Sequence, residues 1–314
     1  MIDKLDLRVP SGARFSPEFG RTYSEVRRGD RDTFRQARLY ESTGDLRPYG
    51  YPAIIHLYSR FGQGNHKLEM IDTGGRSYAG ICSEIERIFE VDPKALGIMR
   101  LDLAADVQGV PVHAFVGNVR AKFKRSAEEL GRYSLIGKRG VETFYLGRRP
   151  NLFRFYDKMA ELHHQYSALK RQSEGPLKTF AELFGYAETG PVLTRVERQI
   201  GGSRVPPKIA TVGQLVHLPD FDPFDRLEVS IGSDLTPDPR HYRFSKYLQL
   251  LGLAEFVRQN GGVQSARRLA NQLSTNASRL FEDLPNFLPC SPRKITEKEI
   301  FECYRKTVSK QLAA

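Results

Sequence analysis

The segment LFRFYDK, residues 152–158, combines a tyrosine with cationic side chains in an alternating pattern. Successive side chains of a β-strand point to opposite faces, so an extended segment places Arg154 and Tyr156 on one face and two phenylalanines on the other. A phenol is mostly protonated at neutral pH because its unperturbed pKa is about 10. Nearby cations favour the phenolate, so the pattern predicts Tyr156 as a nucleophile assisted by Arg154 and Lys158.

Two more alternating segments, IMRLDLAADV and LTRVERQI, carry acids together with arginines. If both segments are strands beside the tyrosine strand, their carboxylates and its phenol share one face of a sheet. Converging carboxylates suit a hard divalent cation, Mg²⁺ or Mn²⁺, which can offset charge developing in a phosphoryl displacement. The predicted metal ligands are Asp102, Glu197 and Asp106. The alternative is that the acids only pair with Arg100 and Arg195.

The charge balance indicates a polyanionic partner, since 48 Lys and Arg against 37 Asp and Glu give a net charge of +11. No apolar run approaches the ~20 residues that span a bilayer, so we expect a cytoplasmic protein without a membrane partner. The basic side chains predicted to contact DNA are Arg100, Lys138, Arg139, Arg148, Arg149 and Arg195. Those at strand and turn ends could equally be solvated charges.

Period-two patterns predict strands near the start of the chain and at 53–59, 98–107, 141–147, 152–157 and 193–200. Helical spacing predicts helices at 80–91 and 111–130 and after residue 158. The GRRPN stretch between two predicted strands indicates a hairpin, which makes those strands antiparallel neighbours. The fold class expected is therefore α+β, with a central, mainly antiparallel sheet and flanking helices.

The tail beyond the Pro-rich TPDPR stretch has strongly helical character. We therefore expect a catalytic domain over 1–235 and a helical C-terminal domain over 236–314 that could bind DNA or a partner. Two amphipathic helices around Gly261 could form a helix-turn-helix, and a plain helical bundle is the alternative.

Three stretches, RLDLAADV, TFYLGRRPNLFRFYDKMAEL and LTRVERQIGG, resemble in sequence and order the rolling-circle replication initiators of filamentous phages and related plasmid initiation factors. The resemblance implies a relaxase- or nickase-like fold and an enzyme that cuts one strand at a replication origin. In that family a tyrosine stays on the 5′ phosphate, leaves a 3′ hydroxyl for a polymerase and later rejoins the strand. The resemblance also implies that the partner is single-stranded or locally melted origin DNA, with a host helicase and polymerase as further partners.

Carried over to this sequence, the R-x-Y-[DEN]-K pattern of the family falls on Tyr156, and its acidic positions fall on Asp102 and Glu197. The chain departs from the wider superfamily of nicking enzymes because it has no His-hydrophobe-His metal pair. His56 stands alone in its predicted strand, and whether it joins the site is open. Tyr145 is the alternative nucleophile. The alternative functions are a non-catalytic DNA-binding regulator on the same fold and a metal-dependent nuclease that uses water.

Overall fold

In the computed structural model, the described residues are 1–10, 12–19, 23–28, 35–41, 53–57, 65–70, 73, 76–115, 119–122, 133–137, 140–149, 151–172, 178–229, 231, 249–250, 252–253, 256, 269–270 and 295–314.

A ten-stranded sheet forms the centre of the molecule, and each of its neighbouring strand pairs is antiparallel. Its strands, in chain order, are β1 (Ile2–Pro10), β2 (Tyr23–Arg28), β3 (Arg35–Glu41), β4 (Ala53–Leu57), β5 (Asn65–Met70), β6 (Gly97–Gln108), β8 (Tyr133–Gly137), β9 (Gly140–Arg148), β10 (Asn151–Asp157) and β11 (Leu193–Gly201). The order across the sheet is β2-β3-β4-β5-β1-β6-β11-β10-β9-β8. A separate two-stranded sheet pairs β7 (Val119–Ala121) with β12 (Leu227–Val229).

The helices of the described residues are α1 (Tyr78–Ile88), α2 (Val112–Phe115), α3 (Lys158–Gln172), α4 (Phe180–Phe184) and α5 (Glu297–Ala313). Short 3₁₀ helices span Pro93–Ala95, Gly202–Arg204, Pro207–Ile209 and Val212–Asp220. Helix α5 begins at a capping box in which Thr296 and Glu299 satisfy each other's backbone N–H groups. An antiparallel sheet with flanking helices confirms the predicted α+β fold.

One face of the sheet is apolar and carries the main core. Phe153 and Phe155 are fully buried there, as the alternation in their segment predicts. Helix α5 packs against this face through Tyr304, whose hydroxyl donates to the backbone carbonyl of Leu218 at 3.2 Å. The last helix of the chain therefore shares its core with the first strands, such as Leu5 of β1.

The boundary predicted at 236–240 and the helix-turn-helix around Gly261 lie outside the described residues and stay predictions. The strand predictions are confirmed, because β1, β4, β6, β9, β10 and β11 fall on the six predicted segments. The hairpin is confirmed too, with Arg148 of β9 opposite Asn151 of β10. Gly147, next to the turn, has φ of 90°, a backbone conformation that favours glycine.

The helix predicted over 111–130 is wrong at 119–121, which the structure describes as a strand. Helix α2 ends at Phe115, and β7 follows at Val119–Ala121 because it finds a pairing partner in β12. The tertiary partner overrides local helical spacing. A second irregularity lies in β6, where a register shift brings Ile98 into the core and leaves Met99 partly exposed.

Candidate active site

The three strands that carry the predicted chemistry are neighbours, in the order β6-β11-β10. In the register of these strands, Arg195 lies between Asp106 and Tyr156, and Glu197 lies opposite Arg154. Residues of one parity share a face, so these side chains all stand on the face opposite the main core. We call this the charged face. The adjacency on which the sequence hypothesis depended is confirmed.

Tyr156 lies at the centre of the charged face and is only 6% exposed. The guanidinium carbon of Arg154 lies 4.6 Å from the centre of its ring, and Lys158 Nζ lies 5.8 Å from it. Burial and the negative charge of Asp3 nevertheless raise the pKa of Tyr156 well above its usual value, although Arg195 opposes the shift. The expectation that neighbouring cations lower this pKa is wrong for this arrangement, because desolvation of the phenolate dominates.

A cleft of about 330 Å³ opens beside Tyr156, between strands β9 and β10 and helix α3. Its walls include Thr143, Tyr145, Arg154, Tyr156, Glu161 and His164. Helix α3 follows β10 directly and turns back over the charged face, where Met159 and Leu162 pack on Phe180 in a small second core. The helix explains why Tyr156 is buried on a face that alternation marks as polar. Both candidate tyrosines border the same cleft.

Each predicted metal ligand is paired with an arginine. Asp102 accepts from Arg100 Nε at 2.8 Å, and Glu197 accepts from Arg154. Arg195 donates from Nε and Nη2 to the two oxygens of Asp106, at 2.6 and 2.8 Å. These charge-assisted pairs fix the acids and the arginines in one rigid layer.

Asp3 completes this layer, and sequence reasoning missed it. Its Oδ1 accepts from Arg195 Nη1 at 2.6 Å, so the guanidinium joins Asp3 and Asp106. The alternation of β1 is interrupted here by a register shift between Ile2 and Lys4, which turns Asp3 toward the charged face. Such a bulge has no clear signal in a single sequence.

Three of the acids influence one another's ionisation. Burial raises the pKa of Glu197 to about 8; Arg154 opposes this shift, while the charges of Asp3 and Asp102 add to it. Burial also raises the pKa of Asp102, against the effect of Arg100. For Asp3, burial is outweighed by the charge of Arg195 and by a hydrogen bond with Glu197, and its pKa is lowered. Burial therefore favours the protonated form of Glu197, whereas the ionised form of Asp3 is favoured beside it.

The carboxylate oxygens of these acids are the type of ligand that a hard divalent cation prefers. Asp3, Asp102 and Glu197 offer oxygen ligands, and their mutual repulsion is what a cation relieves. Among the described residues, no three Asp, Glu, His or Cys side chains are already grouped as metal ligands. Arg100 and Arg154 already occupy oxygens of Asp102 and Glu197, so a cation would compete with these two guanidinium groups.

The predicted DNA contacts have different surroundings. Arg100 and Arg195 direct their guanidinium groups to carboxylates, whereas Arg149 at the hairpin turn is exposed. Lys138, Arg139 and the side chain of Arg148 lie outside the described residues, and all these DNA contacts stay predictions. Lys158 Nζ donates to Glu161 at 2.6 Å on the same helix.

His56 is distant from the tyrosine strand. Its backbone pairs with Lys67 across β4 and β5, and five strand spacings separate β4 from β10. At about 4.8 Å per spacing, that separation is roughly 24 Å. His56 is thus too far from Tyr156 to share a single metal ion with the phenol.

Neither protein-family models, nor curated proteins, nor solved structures match this chain. None of the helices in the described parts of the chain is long and apolar enough to cross a bilayer.

Proposed function

We propose that the chain is a DNA nicking and joining enzyme that starts rolling-circle replication at a phage or plasmid origin. The observation that carries the proposal is the convergence of Tyr156, Arg154 and a set of coupled buried acids on three neighbouring strands, beside a cleft. Clusters of strongly perturbed ionisable groups in a cleft are typical of catalytic sites. The sequence patterns around these residues, which resemble the phage initiators, support the same reaction.

In the proposed reaction, Tyr156 is the nucleophile. Its phenol oxygen forms a bond to the phosphorus, the bond from phosphorus to the 3′ oxygen breaks, and a 5′-phosphotyrosyl enzyme results. Because burial keeps Tyr156 protonated, the attack needs a proton acceptor. We assign that role to Asp3, which is ionised and whose charge acts strongly on Tyr156. The departing 3′ oxygen takes a proton from solvent, and joining reverses these steps.

The cationic side chains bind and orient the DNA strand in this scheme. Arg154 borders the cleft and stacks on Tyr156, where it can face the phosphate that the phenol attacks. Lys158 Nζ also lies over this ring, 5.8 Å from its centre. Positive charge fixed beside a phosphoryl group stabilises the negative charge that develops there.

A divalent cation, Mg²⁺ or Mn²⁺, belongs to the proposal, held by Glu197 and Asp102 with Asp3 nearby. When bound, it would polarise a phosphoryl oxygen and offset developing charge. Asp106 is a weaker candidate because it falls outside the acidic positions of the pattern that the chain resembles. Arg195 holds both of its oxygens, as Arg100 holds both oxygens of Asp102, so a cation would displace an arginine from either acid. The partners proposed are single-stranded or melted origin DNA in the cytoplasm, with a host helicase and polymerase acting on the nicked product.

One observation favours a second candidate, a non-catalytic DNA-binding regulator. The acids of the charged face are paired with arginines, and Tyr156 is almost fully buried. A layer of ion pairs of this kind can serve to orient strands and helix α3 without any chemistry. The regulator would use the net charge of +11 for salt-sensitive binding.

Incubation with supercoiled origin DNA and Mn²⁺, followed by denaturing gels, tests the proposal. Wild type and Tyr145→Phe should nick the DNA and leave protein on the 5′ end, whereas Tyr156→Phe should do neither. Tyr145 is the matched control because it borders the same cleft. Nicking that survives Tyr156→Phe without a protein-linked end would identify a water-using nuclease. DNA binding without nicking in the wild type would identify the regulator.

A further inference from the structure

A second cavity, of about 160 Å³, lies on the apolar side of the sheet, where β10 begins and β11 ends. Three arginines, Arg198, Arg204 and Arg226, line it together with a single carboxylate, Asp225. The side chains of Phe221 and two prolines form much of the remaining wall. Cationic groups beside apolar walls attract an anion more strongly than they would in open solvent.

Arg198 breaks the alternation of β11, since its parity places it on the apolar face. It is 6% exposed, and its guanidinium carbon lies 4.2 Å from the ring centre of Phe153. It also donates a hydrogen bond to Asn151 Oδ1. Arginine is rarely buried in this way, so a fixed guanidinium at the end of an otherwise apolar strand face calls for a functional reason.

Asn151 supplies a second, independent indication. Its side chain is 5% exposed and borders the cavity, and its Nδ2 has no hydrogen-bond acceptor within the described residues. A buried donor without an acceptor costs about 1–3 kcal/mol. An oxyanion in the cavity would accept from this amide while it is held by the guanidinium groups.

We propose that this cavity, the Arg198 pocket, binds a single phosphate group. Arginines recognise phosphate through paired N–H···O bonds, and three of them surround one small space. The volume is below the ~300–1,000 Å³ typical of sites for drug-sized ligands, so a phosphoryl group fits and a whole nucleotide does not. The group belongs either to the backbone of a DNA strand or to free inorganic phosphate.

The Arg198 pocket is separate from the charged face. Asn151 and Tyr156 are five residues apart on β10, about 17 Å along the strand, and their side chains point to opposite faces. Phosphate binding here therefore does not depend on nicking. Loss of nicking in Tyr156→Phe would leave it unchanged, so the two proposals can fail separately.

Titration of the full-length protein with inorganic phosphate, followed by ³¹P NMR line broadening, tests the pocket. The double variant Arg204→Gln/Arg226→Gln should weaken the apparent affinity at least about tenfold, whereas Arg305→Gln/Lys306→Gln should not. Arg305 and Lys306 are exposed cations of helix α5, so this control removes the same two charges. Both Arg204 and Arg226 retain solvent exposure, which limits the risk to folding. Equal weak binding by all three proteins would overturn the proposal.

A second titration, with single-stranded oligonucleotide at several salt concentrations, distinguishes the two sources of phosphate. If the pocket holds a backbone phosphate, Arg226→Gln should reduce the slope of log affinity against log salt by about 0.7. If the pocket holds free phosphate, the slope should stay the same while the inorganic phosphate titration still changes. Unchanged results in both titrations would contradict a phosphate site of either kind.

Discussion

The two faces of the central sheet are stabilised in different ways, although alternate residues of the same strands build both. On the apolar face, Phe153 and Phe155 are fully buried in the main core, where many weak contacts add up. On the charged face, Arg195 joins Asp3 and Asp106, and removing one partner leaves buried charges unpaired. The apolar face therefore supplies stability, whereas the charged face holds ionisable groups in fixed positions at some cost in desolvation.

The variants Arg195→Met and Phe155→Ala should show the largest effect, a loss of folding stability. Each should lower the free energy of unfolding by about 3–5 kcal/mol, through unpaired carboxylates in the first case and a cavity in the second. Urea unfolding at several pH values separates the two causes.

The pH dependence follows from the carboxylate that Arg195 pairs with. Burial opposes the ionisation of Asp106, but its bonds to Arg195 hold its pKa below the usual value. A lowered carboxyl pKa stabilises the fold above the unfolded pKa, about 3.9, and this contribution is lost as the pH falls. The deficit of Arg195→Met should therefore stay constant above about pH 5 and shrink as the pH falls below about 4, while that of Phe155→Ala should stay constant at every pH. A constant deficit in both variants would remove the distinction between the faces.

The second-largest effect is expected for the variant Glu197→Gln, in its affinity for a divalent metal. Because the pKa of Glu197 is about 8, Mn²⁺ uptake by the wild type at pH 6.5 should release about one proton, and this release should fade above pH 9. Calorimetry in two buffers with different ionisation enthalpies measures the release. Glu197→Gln should lose most of the affinity. Mn²⁺ binding of wild-type strength in Glu197→Gln would exclude Glu197 as a ligand.

The same substitution should change the pH profile of stability. A carboxyl pKa raised from 4.5 to about 8 stabilises the folded protein below pH 4.5, and this contribution is lost as the pH rises to 8. Wild type should therefore lose stability between pH 5 and 8.5 relative to Glu197→Gln, which cannot ionise. Parallel profiles would show that Glu197 is already ionised at neutral pH.

The smallest effect is expected from Tyr186→Phe. The Tyr186 hydroxyl lies 3.4 Å from Asp106 Oδ2, at the edge of the charged face, and Arg195 already satisfies that carboxylate. Nicking rates should fall less than about threefold, because this hydrogen bond is long and Arg195 already donates to both oxygens of the carboxylate. A loss as large as that of Tyr156→Phe would mean that the active centre lies nearer to α4 than we propose.

The sequence was sufficient to predict what regular alternation encodes. It predicted the neighbouring strands, the hairpin at Gly147 and the shared face of Tyr156, Arg195 and Glu197, because period two and turn residues are local signals. It could not predict Asp3, since a bulge shifts the parity of β1 without a sequence mark.

The raised pKa of Tyr156 could not be predicted from the sequence either. It depends on helix α3 folding back over the charged face, and that packing is decided by distant residues such as Phe180. For the same reason, the predicted helix at 111–130 failed where β7 pairs with β12. Local patterns thus predicted which residues meet, whereas the electrostatic environment required the tertiary structure.

The most direct test of the central claim is the identity of the residue that carries DNA. Wild-type protein is incubated with a single-stranded origin oligonucleotide and Mn²⁺, digested with protease and nuclease, and analysed by mass spectrometry. We predict a 5′-phosphonucleotide on the peptide that contains Tyr156. Attachment to the peptide of Tyr145, or cleaved DNA with no modified peptide, would contradict the account.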